Sequence, residues 1–360
     1  AGLRASDVTH IATPYAPVSL FSKARWHYAY RHWYAPDRSI DSLLNGNRRY
    51  RRHVKGLRIL VEKLNISNLT TELVPVEHQL AHASSVYHLA ESNEKTAIFC
   101  NDAKGEYANI FLGYGHKGKI FKIKQFYSPD SLCGLYAALT DYLGFETLDG
   151  EFKVMGLAAH GDSEKYDLSP LARFERGKLK VDTRLITTIG MRRYKAKSRG
   201  HYFSRKLVKM LGPRRAGHLL EDPYVHYASA IQNLYEDLAL QMVEYYLGDV
   251  LAETGRLALA GTGSMNIRLN HRFHSHPKVK QLLVHPACGD SGTAIGAAAF
   301  AVNQAGIPIK PRRDLYLGPS FSTDDCLNAC MNHRDKPVWE VLPDPFERAA
   351  ELLANGQIVA

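Results

Sequence analysis

One stretch decides the fold class: Arg256-Leu257-Ala258-Leu259-Ala260-Gly261-Thr262-Gly263-Ser264-Met265-Asn266. Residues 257–260 are apolar and predict a short buried strand, and the glycines that follow predict a tight turn into a helix over 264–273. The chain then repeats the pattern, with a strand predicted over 278–285 and a helix of small residues over 292–304. Strands that alternate with helices are typical of an α/β fold with a buried sheet.

Upstream of this block, the sequence predicts an antiparallel meander and two helices. Three strands are predicted over 96–101, 107–114 and 119–126, because short apolar runs are separated there by turns that contain glycine. Helical periodicity is visible over 131–143, and Pro223 begins a long helix that extends to about residue 253. The meander and the α/β block together predict a mixed sheet.

The composition is that of a folded protein. Of the 360 residues, 45% are hydrophobic and 23% are charged, which excludes disordered, collagen-like and coiled-coil classes. No stretch approaches the roughly 18 consecutive apolar residues of a membrane span, and no signal-peptide pattern opens the sequence. The 5 cysteines are odd in number and lack a Cys-x-x-Cys pair, which disfavours a disulfide framework or a zinc knuckle. We therefore expect a soluble cytoplasmic protein.

The net charge of +10 is concentrated near the start of the chain. Residues 1–58 carry most of the excess, and within them residues 22–58 interleave arginines with tryptophans, tyrosines and histidines. A surface for nucleic acid or a phosphorylated glycan would use this mixture. The favoured alternative is an amphipathic helical insertion whose aromatic side chains face the core while its arginines remain in water. A second basic stretch, Lys178 to Arg215, is predicted to be a surface excursion.

Two acidic residues and a histidine pair are candidate metal ligands. His78 and His82 are four residues apart, so a helix presents both on one face and both can reach one ion. A lone pair of this spacing is a weak signal, since 17 histidines produce such pairs by chance. Asp102 ends a predicted strand, where it either forms a turn or binds a metal. Asp290 precedes the small-residue helix, and a helix N-cap is its alternative role.

A glycine-rich turn is the candidate nucleotide site. Gly261 and Gly263 follow a strand and precede a helix, and such a turn allows a ligand to approach backbone amides closely. The dinucleotide-binding fingerprint requires a further glycine where this chain has Asn266, which disfavours a Rossmann fold. A nucleoside site of another type remains open.

Taken together, these motifs resemble the carbamoyltransferases of nodulation-factor, cephamycin and aminoglycoside biosynthesis. The similarity covers roughly residues 75–360, and its most specific run is Lys153-Val154-Met155-Gly156-Leu157-Ala158-Ala159. Residues 14–60 do not align with that family and look like an unusual basic insertion. The runs that carry the resemblance are 78–83, 150–161, 260–266, 286–298 and 315–319.

The resemblance implies a two-lobed fold of the actin and sugar-kinase type, which is ribonuclease H-like, with the basic insertion added. It assigns residues 1–308 to a metal- and nucleotide-binding carbamoyltransferase domain. Residues 309–360 become a linker and the beginning of a YrdC-like domain. We also expect the chain to be a fragment that lacks first strands and most of the YrdC-like domain, because the chain opens on Ala1 and stops after the beginning of a strand at 357–360.

The resemblance also implies the chemistry. Carbamoyl adenylate is made from carbamoyl phosphate and ATP, and its carbamoyl group moves to a hydroxyl of a small-molecule acceptor, which is a sugar, a glycan or a natural product. The ligand types suit iron, zinc or manganese, and the resemblance selects Fe²⁺. Nucleic acid is not an expected partner. No catalytic base is assigned, and the missing amino-terminal segment is one place for it.

Site residues follow from the same resemblance. The implied metal ligands are His78, His82, Asp102 and Asp290. The implied nucleotide-binding residues are Asp102, Cys133, Gly134, Gly261, Gly263 and Asn266. The chain departs from the family pattern at three positions, where Glu77 replaces a histidine and Cys133 and Thr262 each replace a glycine.

Two alternatives remain. The subunit that makes threonylcarbamoyladenosine in tRNA shares the histidine pair and the lobes, but we do not expect the run 153–159 there. A non-catalytic nucleotide-binding module would explain the glycine turns and the basic surface. It would not require four metal ligands spread from residue 78 to residue 290.

Overall fold

The computed structural model describes residues 7–33, 36–64, 66, 72–90, 94–187, 201–311 and 318–359. The chain divides into two compact units, Ala1–Arg313 and Asp314–Ala360. The strands are β1 His10–Thr13, β2 Glu72–Pro75, β3 Thr96–Asn101, β4 Ala108–His116, β5 Lys119–Tyr127, β6 Ala172–Glu175, β7 Lys178–Val181, β8 Arg256–Ala260 and β9 Gln281–Val284.

The helices of the first unit are α1 Lys23–Arg31, α2 Pro36–Asn45, α3 Arg48–Lys63, α4 His78–Tyr87, α5 Leu132–Tyr142, α6 Glu151–Leu157, α7 Arg205–Leu211, α8 Tyr224–Thr254, α9 Ile267–His274 and α10 Gly292–Gln304. The second unit contains α11 Thr323–Asn332 and α12 Pro345–Ala354. A 3₁₀ turn, Thr262–Met265, connects β8 to α9.

A mixed sheet of five strands is the centre of the first unit, as predicted. Its order is β5-β4-β3-β8-β9. The meander β3-β4-β5 is antiparallel, and β3, β8 and β9 run parallel to one another. β3, β8 and α10 have the predicted bounds, whereas β9 is shorter than the predicted strand 278–285. Two smaller sheets pair β1 with β2 in parallel and β6 with β7 in antiparallel.

Helices cover both faces of this sheet. β3 is buried along its whole length, and its side chains alternate between two cores. Ala97 and Phe99 join the larger core with residues of α5 and α8. Ile98 and Cys100 join a smaller core with residues of α4. α10 packs closely on α4, because a Cβ atom on Gly296 would lie only 2.0 Å from the carbonyl oxygen of Ala81.

The basic segment forms helices α1, α2 and α3, and the predicted orientation of its side chains is wrong for part of α1, although Tyr28 is buried as predicted. Arg25 is buried, at 5% exposure. Trp26 and Tyr30 are exposed instead, at 53% and 76%. Gly46 leaves space for the buried guanidinium because it has no side chain. A Cβ atom on Gly46 would lie 2.3 Å from Nη2 of Arg25.

The prediction that the second basic stretch is a surface excursion is wrong where the stretch is described, because Leu179, Val181 and Leu207 are buried in the larger core. Part of the second basic stretch forms β7 and α7, and residues 188–200 lie outside the described residues, as do 315–317 of the last motif. α12 begins as the sequence predicts, with the Asp344 carboxylate accepting hydrogen bonds from the backbone at its first turn. Among the described residues, no helix is both long and apolar enough to span a membrane.

Candidate metal centre

Four side chains from three separate segments meet at one end of the central sheet. His78 and His82 lie on consecutive turns of α4, Asp102 directly follows β3, and Asp290 lies two residues before α10. One nitrogen or carboxylate oxygen from each of the four lies within 4.8 Å of each of the others. The ends of β3 and β8 are adjacent in the sheet. The backbone N–H of Gly261, just after β8, donates to the Cys288 carbonyl oxygen at 2.8 Å and so holds the segment of Asp290 beside them.

The distances are short enough for one ion to reach all four groups. Nε2 of His78 is 3.4 Å from Oδ2 of Asp102 and 3.5 Å from Oδ1 of Asp290. Nε2 of His82 is 3.8 Å from Oδ1 of Asp102 and 3.6 Å from Oδ1 of Asp290. Three of the side chains are at most 1% exposed, whereas that of Asp290 is 65% exposed. The cluster is therefore buried on three sides and open to solvent beside Asp290.

Neighbouring groups fix the ring of His78. Its Nδ1 lies 3.2 Å from the carbonyl oxygen of Pro14, which can only accept a hydrogen bond, so Nδ1 carries the proton. Its Nε2 consequently faces the two carboxylates. The Glu106 carboxylate accepts hydrogen bonds from the backbone N–H groups of His78 and Ala16 at 2.8 to 3.3 Å. The first turn of α4 is therefore held in position.

Asp102 is oriented in the same way. The hydroxyl and the backbone N–H of Thr262 both donate to its Oδ1, at 2.6 and 3.1 Å. The backbone N–H of Lys104 donates to Oδ2 at 3.1 Å. Asp102 thus forms a turn, which was one of its two predicted roles. At the same time it presents its carboxylate to the histidines.

The charges of the cluster are strongly coupled. Burial by itself lowers the pKa of His78, but the carboxylates of Asp102 and Asp290, at 3.4 and 3.5 Å from its Nε2, outweigh it and raise that pKa to about 10. Burial would raise the pKa of Asp102, yet the two imidazoles hold it far below its usual range. The imidazoles of His78 and His82, at 3.5 and 3.6 Å from its Oδ1, lower the pKa of Asp290 to about 2. Both carboxylates are therefore ionised at neutral pH.

This donor set fits a divalent cation. Among the described residues, Nε2 of His78 and both ring nitrogens of His82 are buried without a hydrogen-bond partner. A buried polar atom without a partner costs about 1–3 kcal/mol, so such atoms are rare unless something binds them. Imidazole nitrogens and carboxylate oxygens are usual ligands of zinc, iron and manganese. That these four residues bind a metal remains a prediction.

The N-cap alternative for Asp290 is wrong. Ser291 is the N-cap residue of α10, and no side chain caps that helix. Thr293 donates its hydroxyl hydrogen bond to the backbone carbonyl of Asp290 and not to its carboxylate. The carboxylate faces the histidines instead. Glu77, which stands where the family has a further histidine, accepts a hydrogen bond from the Gln125 side chain instead.

Several residues of the predicted nucleotide site gather around Asn101, next to Asp102. Sγ of Cys133 lies 3.4 Å from Oδ1 of Asn101. A Cβ atom on Gly261 would lie 2.4 Å from the Asn101 carbonyl oxygen, and one on Gly263 would lie 2.6 Å from its side-chain nitrogen. Gly261 also has φ = 87°, which favours glycine. Both glycines therefore have a packing role within the protein.

The other two predicted nucleotide-binding residues serve as helix-terminal groups. Asn266 is the N-cap of α9 and exchanges hydrogen bonds with the side chain of Gln232. The backbone N–H of Gly134 donates to the hydroxyl of Ser131, the N-cap of α5. These contacts neither require nor exclude a nucleotide.

Three residues support the cluster in ways that the sequence did not predict. Tyr15 stacks on the ring of His78, with ring centroids 5.1 Å apart, and Glu106 and Thr262 bind the backbone and the carboxylate of the cluster. No motif marks Tyr15 or Glu106. The replacement of a glycine by Thr262 was a visible signal, since its hydroxyl is what reaches Asp102.

The comparison with known proteins identifies the class. A family model described as "Carbamoyltransferase N-terminus" matches residues 21–299. This is more than half of the chain, so the chain belongs to that carbamoyltransferase family. The match includes most of the basic segment that the sequence analysis left unaligned.

The relatives include two nodulation proteins. NolNO of Sinorhizobium fredii is 26% identical over 315 residues, covering 84% of this chain and 43% of that protein. NolO of Bradyrhizobium diazoefficiens is 26% identical, covering 79% and 49%. The uncharacterised protein sll1178 of Synechocystis is 29% identical, covering 81% and 48%. The chain thus spans about half of the length of these relatives. A solved structure of full-length HypF in its phosphate- and nucleotide-bound form is 13% identical over 66% of this chain and 44% of that chain, with a TM-score of 0.35.

Proposed function

We propose that this chain is the metal- and nucleotide-binding part of an O-carbamoyltransferase. The reaction moves a carbamoyl group from carbamoyl adenylate, made from carbamoyl phosphate and ATP, to a hydroxyl of a sugar or natural-product acceptor. The observation that carries the proposal is the convergence of two imidazoles and two carboxylates in a chain of the carbamoyltransferase family.

The proposed architecture is two-lobed and of the actin and sugar-kinase type. Support comes from the five-stranded sheet, in which an antiparallel meander is followed by two parallel strands in the order β5-β4-β3-β8-β9. We take this order as support for a ribonuclease H-like unit. In open sheets of this kind, ligands bind beyond the carboxyl ends of the parallel strands, where Asp102 and the glycine turn lie.

The metal would be held by His78, His82, Asp102 and Asp290, and Fe²⁺ is the ion we propose. A divalent ion there supplies positive charge that stabilises negative charge developing on a carbonyl or phosphate oxygen. The chain's own residues do the positioning: Thr262 holds the carboxylate of Asp102, and the Pro14 carbonyl fixes the tautomer of His78. Such supporting groups keep ligands in a defined orientation.

Substrate would enter from the side of Asp290, because the other three side chains are buried. We place the adenosine near the turn at Gly261 and Gly263, with Cys133 at its edge. The contacts of these residues with Asn101 connect that turn to Asp102, one residue further along the chain. The nucleotide and the metal site would therefore be held at a fixed separation, as a transfer between positioned groups requires.

The test is a transfer assay with the natural full-length protein. Carbamoyl phosphate, ATP and a panel of sugars and hydroxylated natural products are incubated with it, and mass spectrometry detects acceptors that gain one carbamoyl group. We expect Asp290→Asn to abolish product while the fold is kept, because this side chain is exposed. The matched control is Asp324→Asn, an exposed acidic residue in α11. Unchanged transfer by Asp290→Asn would refute the proposed site.

A further inference from the structure

A second cavity, distinct from the metal cluster, lies beside the basic helices. Its volume is about 790 Å³, which is within the usual range of about 300–1,000 Å³ for small-molecule sites. The end of α1 contributes Arg31 and, just beyond it, Trp33, and the β6–β7 hairpin and the beginning of α7 form the other walls. None of the predicted metal ligands lines it.

The lining of this cavity is strongly positive. Among the described residues, six cationic side chains and one carboxylate, Asp182, line it. The cations are Arg31, Arg173, Lys180, Arg184, Arg205 and Lys206. Asp182 is neutralised by Arg184, whose guanidinium donates several hydrogen bonds to it. Within the part of the chain that the structure describes, no carboxylate lies within ion-pair distance of Lys180, Arg205 or Lys206.

The hairpin arranges two of these cations unfavourably. Arg173 of β6 and Lys180 of β7 are directly opposite each other in the register. Both are exposed on the same face of the hairpin, and like charges at such a position destabilise a strand pair. The only carboxylate paired with Arg173 in the described residues is that of Glu175, at 3.6 Å. An anion between Arg173 and Lys180 would relieve the repulsion.

The walls are held together before any ligand arrives. The Arg31 guanidinium donates two hydrogen bonds to the buried carboxylate of Asp130, at 2.6 and 3.2 Å. The same carboxylate accepts from the backbone N–H of Val181 at 3.0 Å. One buried aspartate thus joins α1 to β7 across the cavity, and a pre-organised site binds without a large ordering cost.

We propose that this cavity binds a nucleoside diphosphate, with the diphosphate on Lys180, Arg205 and Lys206 and the planar base on Trp33. The indole of Trp33 is 75% exposed at the edge of the cavity, and base stacking on an aromatic ring is a common form of nucleotide binding. Lysine and arginine are the usual partners of phosphate oxygens. This site is separate from the adenylate site of the proposed function and does not depend on it.

The test measures binding of uridine diphosphate by titration calorimetry, because adenine nucleotides could also enter the proposed adenylate site. The double variant K180Q/K206Q removes two charges from the cavity. Its matched control, K178Q/K209Q, removes two exposed charges from the same hairpin and helix without touching the lining. We expect the first to weaken binding by about tenfold or more, since charge-assisted contacts are lost, and the control to change it by less than about threefold.

A second experiment tests whether the base stacks on Trp33. Trp33→Leu should weaken the binding of uridine diphosphate by about fivefold or more and leave the binding of inorganic pyrophosphate unchanged, because only uridine diphosphate has a ring that can stack. Metal content, measured on the same samples, should stay constant and separates this site from the metal cluster. Three results would overturn the proposal: no saturable binding of uridine diphosphate, equal losses in the two double variants, or no effect of Trp33→Leu.

Discussion

Replacing His82 with leucine should reduce stability much more with metal than without it. His82 is fully buried, and neither of its ring nitrogens has a hydrogen-bond partner among the described residues. An unpartnered buried polar group costs about 1–3 kcal/mol. In the metal-free protein, His82→Leu removes that cost but also removes an imidazole that stabilises the Asp102 and Asp290 carboxylates, so the stability of the variant should be within about 1 kcal/mol of the wild type.

With metal, the same substitution removes one of four predicted ligands. A ligand present at about 100 times its dissociation constant stabilises the folded state by about 2.7 kcal/mol. The variant should lose most of this gain and become less stable than the wild type by about 2 kcal/mol. Urea unfolding, followed by circular dichroism with chelator and then with added Fe²⁺ or Mn²⁺, measures both differences.

His88 provides the matched control on the same part of the chain. Its ring is also buried, but both nitrogens are satisfied, by the Ser84 hydroxyl at 2.7 Å and the Gly118 carbonyl oxygen at 2.9 Å. His88→Leu should therefore destabilise the protein by about 1–3 kcal/mol in both conditions. If His82→Leu behaves like His88→Leu, with equal losses with and without metal, the reasoning about the cluster is refuted.

Further predictions concern pH, packing and the buried aspartate. Metal affinity should rise about tenfold per pH unit between about pH 6 and 9, because the raised pKa of His78 means that binding releases a proton; calorimetry across this range would show a flat profile if His78 were not a ligand. Gly261→Ala should lower the free energy of unfolding by about 2–5 kcal/mol, since the new Cβ atom would contact the β3 backbone at a residue with positive φ. The control Gly156→Ala has open space around it and should not destabilise the protein. Equal melting temperatures of the two variants would contradict this prediction. Asp130→Asn should destabilise the protein at pH 7. Burial raises the pKa of Asp130, but its ion pair lowers that pKa overall, so the carboxylate stabilises the fold above its unfolded pKa and loses this effect on acidification. The difference in urea stability between wild type and variant should therefore shrink as the pH falls below about 4. A difference that is constant with pH would exclude that account.

The sequence predicted the elements that local pattern determines. The strand and glycine turn at 256–263 and the helix at 292–304 were found with nearly the predicted bounds, because apolar runs and glycines act locally. The exposure of side chains on α1 was not predictable. Arg25 is buried because Gly46, in a later segment, leaves room for its guanidinium. The sequence pattern of α1 alone cannot predict such a contact.

The candidate site shows the same division. Helical spacing alone puts His78 and His82 on one face, and the structure does so. Asp102 and Asp290 were candidates with a turn and a helix N-cap as alternative roles, and only the family resemblance joined them to the histidines, since their proximity depends on how β3 and α10 are arranged in space. The supporting hydrogen bonds of Glu106 could not be foreseen, because they join the turn before β4 to the start of α4.

The central claim is that His78, His82, Asp102 and Asp290 together bind one metal ion. Metal analysis by inductively coupled plasma mass spectrometry, on protein purified and then reconstituted with Fe²⁺ without oxygen, tests it most directly. We predict about one equivalent in the wild type and in His88→Leu, and strong depletion in each of His78→Ala, His82→Leu, Asp102→Asn and Asp290→Asn, with folding checked by circular dichroism. Retention of a full equivalent by folded His82→Leu and Asp290→Asn, or no stoichiometric metal in the wild type, would contradict the claim.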